Sequence, residues 1–200
     1  MAIVRGIPKD SCSRLAQALF EGGIRVIEVT LNTNSATDMI QELLQSYDSS
    51  MWIGAGTVID AEGAKAALSA GAKFFVTPNL DEHVIEFGEK HNIPVFSGAL
   101  TPSEIVRAFN AGAAMVKVFP SGVFGPRYYK ELQGPLSHIP LMAVGGITTA
   151  NISDFLKAGA KVAGVGGSLI DKQAIAANDF GKIRESAAQL VQAAKAESFR

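Results

Sequence analysis

Cysteine is nearly missing from this sequence: Cys12 is the one thiol among 200 residues. That excludes an intrachain disulfide. With no cysteine cluster and no His-x-Glu array, there is also no spacing that suits a metal site. Cys12 sits near Leu15 at the start of an amphipathic segment and reads as a passive thiol rather than a nucleophile. The histidines His83, His91 and His138 are scattered without ligand spacing. Charge is sparse as well. Charged residues make up 18% of the chain, the formal net charge is −1, and no basic run occurs. Nothing therefore points to nucleic acid or an anionic membrane as a partner. No uncharged apolar stretch is long enough to span a bilayer, and the run from Met1 to Gly6 is too short for a signal peptide. These absences predict a soluble, cytoplasmic protein.

Apolar residues, by contrast, are abundant. At 48% of the sequence they suit a large core, and the length fits one well-buried domain, expected over residues 1–200. The apolar residues are arranged in a repeat. Gly22, Gly71, Gly112 and Gly159 each follow a helix-like run and recur roughly every 45 residues. A glycine just past a helix takes the left-handed conformation that closes the last turn. Each is followed by a strand-like run: Val26–Val29, Phe74–Val76, Met115–Val118 and Val162–Val165. A second set lies between them: Ala2–Val4, Trp52–Ala55, Pro94–Phe96 and Pro140–Ala143. Helix starts follow this second set, most clearly at Thr101-Pro102-Ser103-Glu104, which has the form of a capping box with proline at the first helical position. Asp60 and Thr149 are the expected caps in corresponding places. Eight continuous apolar runs alternating with eight helical stretches require a parallel sheet buried on both faces. That number of units favours closure into a single (β/α)8 barrel over an open sheet.

Two charges interrupt these strands. Lys117 lies within Met115-Val116-Lys117-Val118-Phe119, where desolvation lowers an ammonium's pKa and frees a neutral amine to attack a carbonyl. The competing reading is a lysine snorkelling at the strand end or paired with a buried carboxylate. Glu28 lies within Val26-Ile27-Glu28-Val29-Thr30. There it is either a general acid or base with a raised pKa, or an ion-pair partner of Lys117 or Arg5. The two residues fall on the second and sixth strands, which share interior layers. Their phases differ, however: Glu28 is six residues past Gly22 and Lys117 five past Gly112. A connection one residue longer ahead of Glu28 reconciles them. At the other end of the chain, the seventh and eighth strands finish in Gly145-Gly146 and Gly166-Gly167-Ser168. Glycines there either serve plain turns or let backbone N–H groups approach an anion, with the Ser168 hydroxyl as a further donor. Thr30, Thr57, Thr77 and Ser97 are further strand-end groups, each able to orient a substrate or cap a loop.

In order along the chain, Arg25-Val26-Ile27-Glu28-Val29-Thr30-Leu31, Gly54-Ala55-Gly56-Thr57-Val58, Val76-Thr77-Pro78-Asn79, Lys117-Val118-Phe119-Pro120 and Gly145-Gly146-Ile147 resemble the 2-keto-3-deoxy-6-phosphogluconate / 4-hydroxy-2-oxoglutarate aldolases. The resemblance runs from about Val4 to Ile170. It implies a class I aldolase that reversibly cleaves a 2-keto-3-deoxy sugar acid phosphate to pyruvate and glyceraldehyde 3-phosphate. It also implies a homotrimer without metal or other cofactor. Lys117 is then the Schiff-base lysine, Glu28 the acid/base acting through water, and Thr57 a neighbour of the pyruvyl group. Pro78 and Phe119 are its walls, and Gly145, Gly146, Gly167 and Ser168 hold the phosphate.

Three departures stand out. Many members carry an arginine for the substrate carboxylate where this chain has Asn32, although galactonate-type relatives also have asparagine there. Arg5 is then the remaining cation for that carboxylate. Val144 replaces a threonine often seen before Gly-Gly, and the extra helix many members carry ahead of the first strand has no counterpart. Within the same class, 2-keto-3-deoxy-6-phosphogalactonate and 4-hydroxy-2-oxoglutarate are the alternative substrates. From a different class, the glycine loops alone also fit a phosphate-binding barrel isomerase or synthase that forms no imine.

Overall fold

In the computed structural model, which describes residues 1–195, the apolar runs become eight strands: β1 (Ala2–Val4), β2 (Val26–Thr30), β3 (Trp52–Gly56), β4 (Phe75–Val76), β5 (Val95–Ala99), β6 (Met115–Val118), β7 (Leu141–Val144) and β8 (Ala160–Gly164). They hydrogen-bond in sequence order, every pair parallel. The ring closes where Ile3 N donates to the Val165 carbonyl at 2.9 Å and Val165 N to the Met1 carbonyl at 3.0 Å. Pro94 and Pro140, expected inside strands, stand just ahead of them. Proline has no N–H to give the ladder; their carbonyls still accept from Phe75 and Val116. The last five residues of the expected domain lie outside the described ones.

The connecting helices are α1 (Cys12–Glu21), α2 (Ala36–Tyr47), α3 (Ala61–Ser69), α4 (Glu82–Lys90), α5 (Pro102–Asn110), α6 (Ser121–Leu136, interrupted at Gly125), α7 (Ile152–Lys157), α8 (Lys172–Ala176) and α9 (Phe180–Lys195). The stretch after β8 is thus two helices rather than one. The capping box forms as the sequence requires. Glu104 N donates to Thr101 Oγ1 at 3.3 Å, and Thr101 N to Glu104 Oε2 at 2.7 Å. Asp60 accepts from Gly63 N at 2.7 Å. Thr149 does not cap a helix. Asn151 precedes α7 instead, and its Oδ1 accepts from Thr148 N at 2.8 Å, which folds Thr149 into the intervening turn. Among the described residues no helix is long and apolar enough to cross a membrane.

Side chains alternate across a strand, which splits the buried apolar groups into two clusters. One fills the space between strands and helices. The other, Ile3, Phe74, Val76, Phe96, Met142 and Val144, fills the lumen. Trp52 adds to this second set, its ring centroid 4.5 Å from that of Phe74, which in turn stacks on Phe96 at 5.2 Å. Gly54 makes this possible, because a Cβ there would lie 2.6 Å from the Phe74 ring. Each fully buried aromatic contributes about 1.5–3 kcal/mol.

The repeat glycines need one correction. Gly71, Gly112 and Gly159 are left-handed, with φ of 85°, 101° and 113°, but Gly22 has φ −74° and the left-handed residue is Gly23, at 92°. Gly22 serves a contact between helices: a Cβ there would sit 2.4 Å from Ala187 Cβ and 2.7 Å from the Arg184 carbonyl of α9. Counted from the left-handed glycine, Glu28, Val76, Lys117 and Gly164 occupy the same place on β2, β4, β6 and β8. The extra residue in the α1–β2 connection restores the phase.

Candidate active site

Strand phase brings Glu28 and Lys117 into one lumen. Glu28 is fully buried, and neither carboxyl oxygen has a hydrogen-bond partner. It packs against bare backbone: a Cβ on Gly56 would lie 2.8 Å from its Cδ and Oε1. Burial raises the carboxyl from 4.5 to about 7, opposed first by the positive charge of Lys117, then by Arg5 and the terminal amino group. A carboxyl half-ionised near neutrality both takes and gives a proton. Lys117 is 4% exposed, and its Nζ lies 5.2 Å from the Phe119 ring centroid. Burial lowers its pKa; the negative charge of Glu28 opposes the shift and Arg5 adds to it. The two groups feel each other's charge without closing an ion pair among the described residues. The arrangement offers an amine that can lose its proton beside a carboxyl that can carry one.

A cavity of about 440 Å³ opens at Lys117, which lines it, whereas Glu28 lies buried outside the lining. Of the other residues singled out from sequence, Arg5, Thr57, Pro78 and Phe119 line the cavity together with Gly145, Gly146, Gly167 and Ser168. Arg5 Nη2 donates to Thr57 Oγ1 at 3.2 Å. Thr57 has φ 55°, a left-handed conformation that costs a β-branched residue on the order of 1–3 kcal/mol. Gly145 and Gly146 are both left-handed, with φ of 92° and 73°. Gly167 borders open space, since a Cβ there would meet nothing within 4 Å. The Ser168 hydroxyl donates to the Ile147 carbonyl at 2.6 Å. It is therefore engaged with the loop after β7 and must rotate away to serve an incoming anion.

The remaining strand-end groups are braces. Thr30 and Thr33 hydroxyls meet at 3.0 Å, and Thr33 accepts from Gly6 N at 2.9 Å. Thr77 Oγ1 donates to the Asn79 carbonyl and accepts from Gly98 N. Ser97 is buried with its hydroxyl unpartnered, outside the cavity lining. Asn32 is exposed, and it lines a separate depression with Lys9 and Thr33. Ile3, Thr148, Gly164 and Gly166 line the main cavity without having been picked as site residues. Gly164 shares the strand phase of Glu28 and Lys117, a signal that Gly22 obscured; Thr148 had only its nearness to Gly-Gly.

Burial pushes the Cys12 thiol up to about 12, as a passive thiol requires. His91 packs beside Phe87 and His138 against Phe109, away from the cavity. Among the described residues no group of three or more His, Cys, Asp or Glu side chains is disposed to hold a metal ion.

Comparison with known proteins agrees with this geometry. Residues 1–186 match a family model described as "Aldolase: KDPG and KHG aldolase". The chain is 36% identical over 170 residues to a 2-dehydro-3-deoxy-6-phosphogalactonate aldolase of Escherichia coli K12, covering 84% of this chain and 83% of that one. It is 34% identical over 183 residues to the KHG/KDPG aldolase of the same organism, covering 90% and 85%. Its fold superimposes with a TM-score of 0.87 on a Legionella pneumophila KDPG aldolase holding pyruvate as a covalent carbinolamine, at 28% identity over 94% of this chain and 93% of that one.

Proposed function

The chain belongs to the KDPG and KHG aldolase family and is a lyase; we propose that it works as a class I aldolase, with Lys117 forming a Schiff base to the keto carbon of a 2-keto-3-deoxy-6-phospho sugar acid. The observation that carries this is a buried lysine at a glycine-lined cavity, with the buried, unpartnered carboxyl of Glu28 near enough to feel its charge. Pure binding gives no reason to desolvate an amine.

In the proposed sequence, neutral Lys117 adds to the C2 carbonyl and water leaves, giving an iminium. Glu28, through an intervening water, takes the proton of the C4 hydroxyl. The C3–C4 bond breaks, its electrons pass into the iminium, and the aldehyde departs from an enamine. Glu28 then returns the proton to C3, and hydrolysis frees pyruvate and the Lys117 amine. Arg5 and Thr57 take the substrate carboxylate, while Pro78 and Phe119 flank the pyruvyl carbons. Gly145, Gly146, Gly167 and Ser168 receive the phosphate. The carbinolamine on the Legionella relative supports the first step.

The family reading starts from the gluconate epimer. Two observations favour the galactonate epimer as a second reading: Asn32 stands where galactonate-type relatives also have asparagine, and the 36% identical relative is named for that substrate. Coupled detection of pyruvate from both epimers and from unphosphorylated 4-hydroxy-2-oxoglutarate tests the proposal. Cleavage of at least one phosphorylated epimer with the highest kcat/KM supports it, and no cleavage of any of the three overturns it. We extend the reading to a cytoplasmic homotrimer. The exposed apolar side chains of Ile59, Val123 and Phe124 support the assembly, and light scattering measures its mass directly.

A further inference from the structure

The turn at Gly145-Gly146 presents two consecutive left-handed glycines to the cavity. A backbone that swings this freely can direct either its N–H groups or its carbonyls toward a ligand. A carbonyl oxygen carries partial negative charge and repels an anion. Which way the turn faces is therefore decisive for any phosphate, and glycine by itself does not choose.

The choice is made from outside the cavity lining. The Gly145 carbonyl accepts from Gly122 N at 2.8 Å, and the Gly146 carbonyl accepts from Asn151 Nδ2 at 2.9 Å. Both oxygens are thus tied back by groups on the segments that follow β6 and β7. Asn151 is held in turn, its Oδ1 accepting from Thr148 N at 2.8 Å. Gly122 approaches so closely that a Cβ on it would lie 3.0 Å from the Gly145 carbonyl oxygen and from Gly146 Cα.

Ser121 fixes the residue ahead of the turn. Its hydroxyl donates to the Val118 carbonyl at 2.7 Å and accepts from Val144 N at 3.0 Å. Tyr129 OH lies 2.7 Å away, and Met142 O lies 3.3 Å from the same phenol. A phenol has one proton, and the Ser121 proton is used on Val118, so the shorter contact is Tyr129 donating to Ser121. The serine oxygen then gives one hydrogen bond and receives two. Ser121 and Tyr129 are fully buried, where unpaired partners are costly. This node ties the end of β6, one residue past Lys117, to the end of β7.

We propose that Ser121 and Asn151 are positioning residues for anion recognition, holding the carbonyls of the Gly145-Gly146 turn away from the cavity so that its N–H side meets the substrate phosphate. The inference rests on the proposed phosphate site. It predicts that Ser121→Ala and Asn151→Ala each lower the ratio of kcat/KM on phosphorylated to unphosphorylated keto acid by about tenfold, the equivalent of one lost hydrogen bond. The loss falls mainly in KM, and competitive inhibition by inorganic phosphate weakens in parallel. Ser121→Thr, which keeps the hydroxyl, restores most of the ratio. Asn151 is only partly buried, so its variant keeps the test open if Ser121→Ala fails to fold. A uniform loss on both substrates, or an unchanged ratio, overturns the positioning role while leaving the phosphate site standing. A wild-type enzyme indifferent to phosphate, both on the substrate and as inhibitor, overturns the site and this inference together.

Discussion

At the scale of single residues, burial acts on two charges, Glu28 and Lys117. Glu28 was legible as an oddity, a carboxylate inside an apolar run, but its sequence neighbours left open whether it titrates or merely pairs. The structure gives it no hydrogen-bond partner, and burial raises its pKa to about 7. The consequence for stability has a definite sign. Between about 4.5 and about 7 the unfolded chain releases a proton that the folded chain keeps. The Glu28 contribution is therefore fully present below about 4.5 and is lost as pH rises through about 7. Glu28→Gln, which cannot ionise, is expected to gain stability over the wild type at pH 8 by a few kcal/mol at most and little at pH 4. Thermal melts of both proteins across that range measure the difference. The same variant is expected to lose about 10²–10⁴-fold in kcat. A variant that melts like the wild type at both pH values shows that Glu28 is not desolvated as described.

At the scale of elements, the number and order of the strands were legible, although strand ends shift by up to three residues, as at β5 (Val95–Ala99). Continuous hydrophobicity demanded strands buried on both faces, and Thr101-Pro102-Ser103-Glu104 carried its own helix start. What sequence could not supply was which of two adjacent glycines turns left-handed. Gly22 and Gly23 are equally capable; the choice depends on α9, more than 150 residues away in the chain, pressing against Gly22. The apparent mismatch between Glu28 and Lys117 came from that one distant contact. Thr149 failed as a cap for a similar reason, since Asn151 offers a side chain that both accepts and donates across the turn. Gly22→Ala is expected to destabilise the protein by about 1–3 kcal/mol, because α1 and α9 must separate to admit the methyl group. Urea unfolding measures this, and a neutral result contradicts the packing described here.

At the scale of the whole molecule, closure of the barrel turns eight local patterns into one site. Arg5, Thr57, Lys117 and Gly145 come from different strand ends, and only the ring of parallel pairings sets them around a common cavity, with Glu28 buried in the same barrel. The family resemblance assembled the same residues without that geometry. It left out Ser121 and Asn151, whose positions depend on hydrogen bonds between separate loops. The central claim is that this cavity exists to let Lys117 form an imine. The most direct measurement is borohydride reduction in the presence of pyruvate, followed by intact mass and peptide mapping. A reduced pyruvyl adduct on Lys117, absent in Lys117→Met, is the predicted result. Folded protein that takes up no adduct at saturating pyruvate, or takes it up at another lysine, contradicts the account.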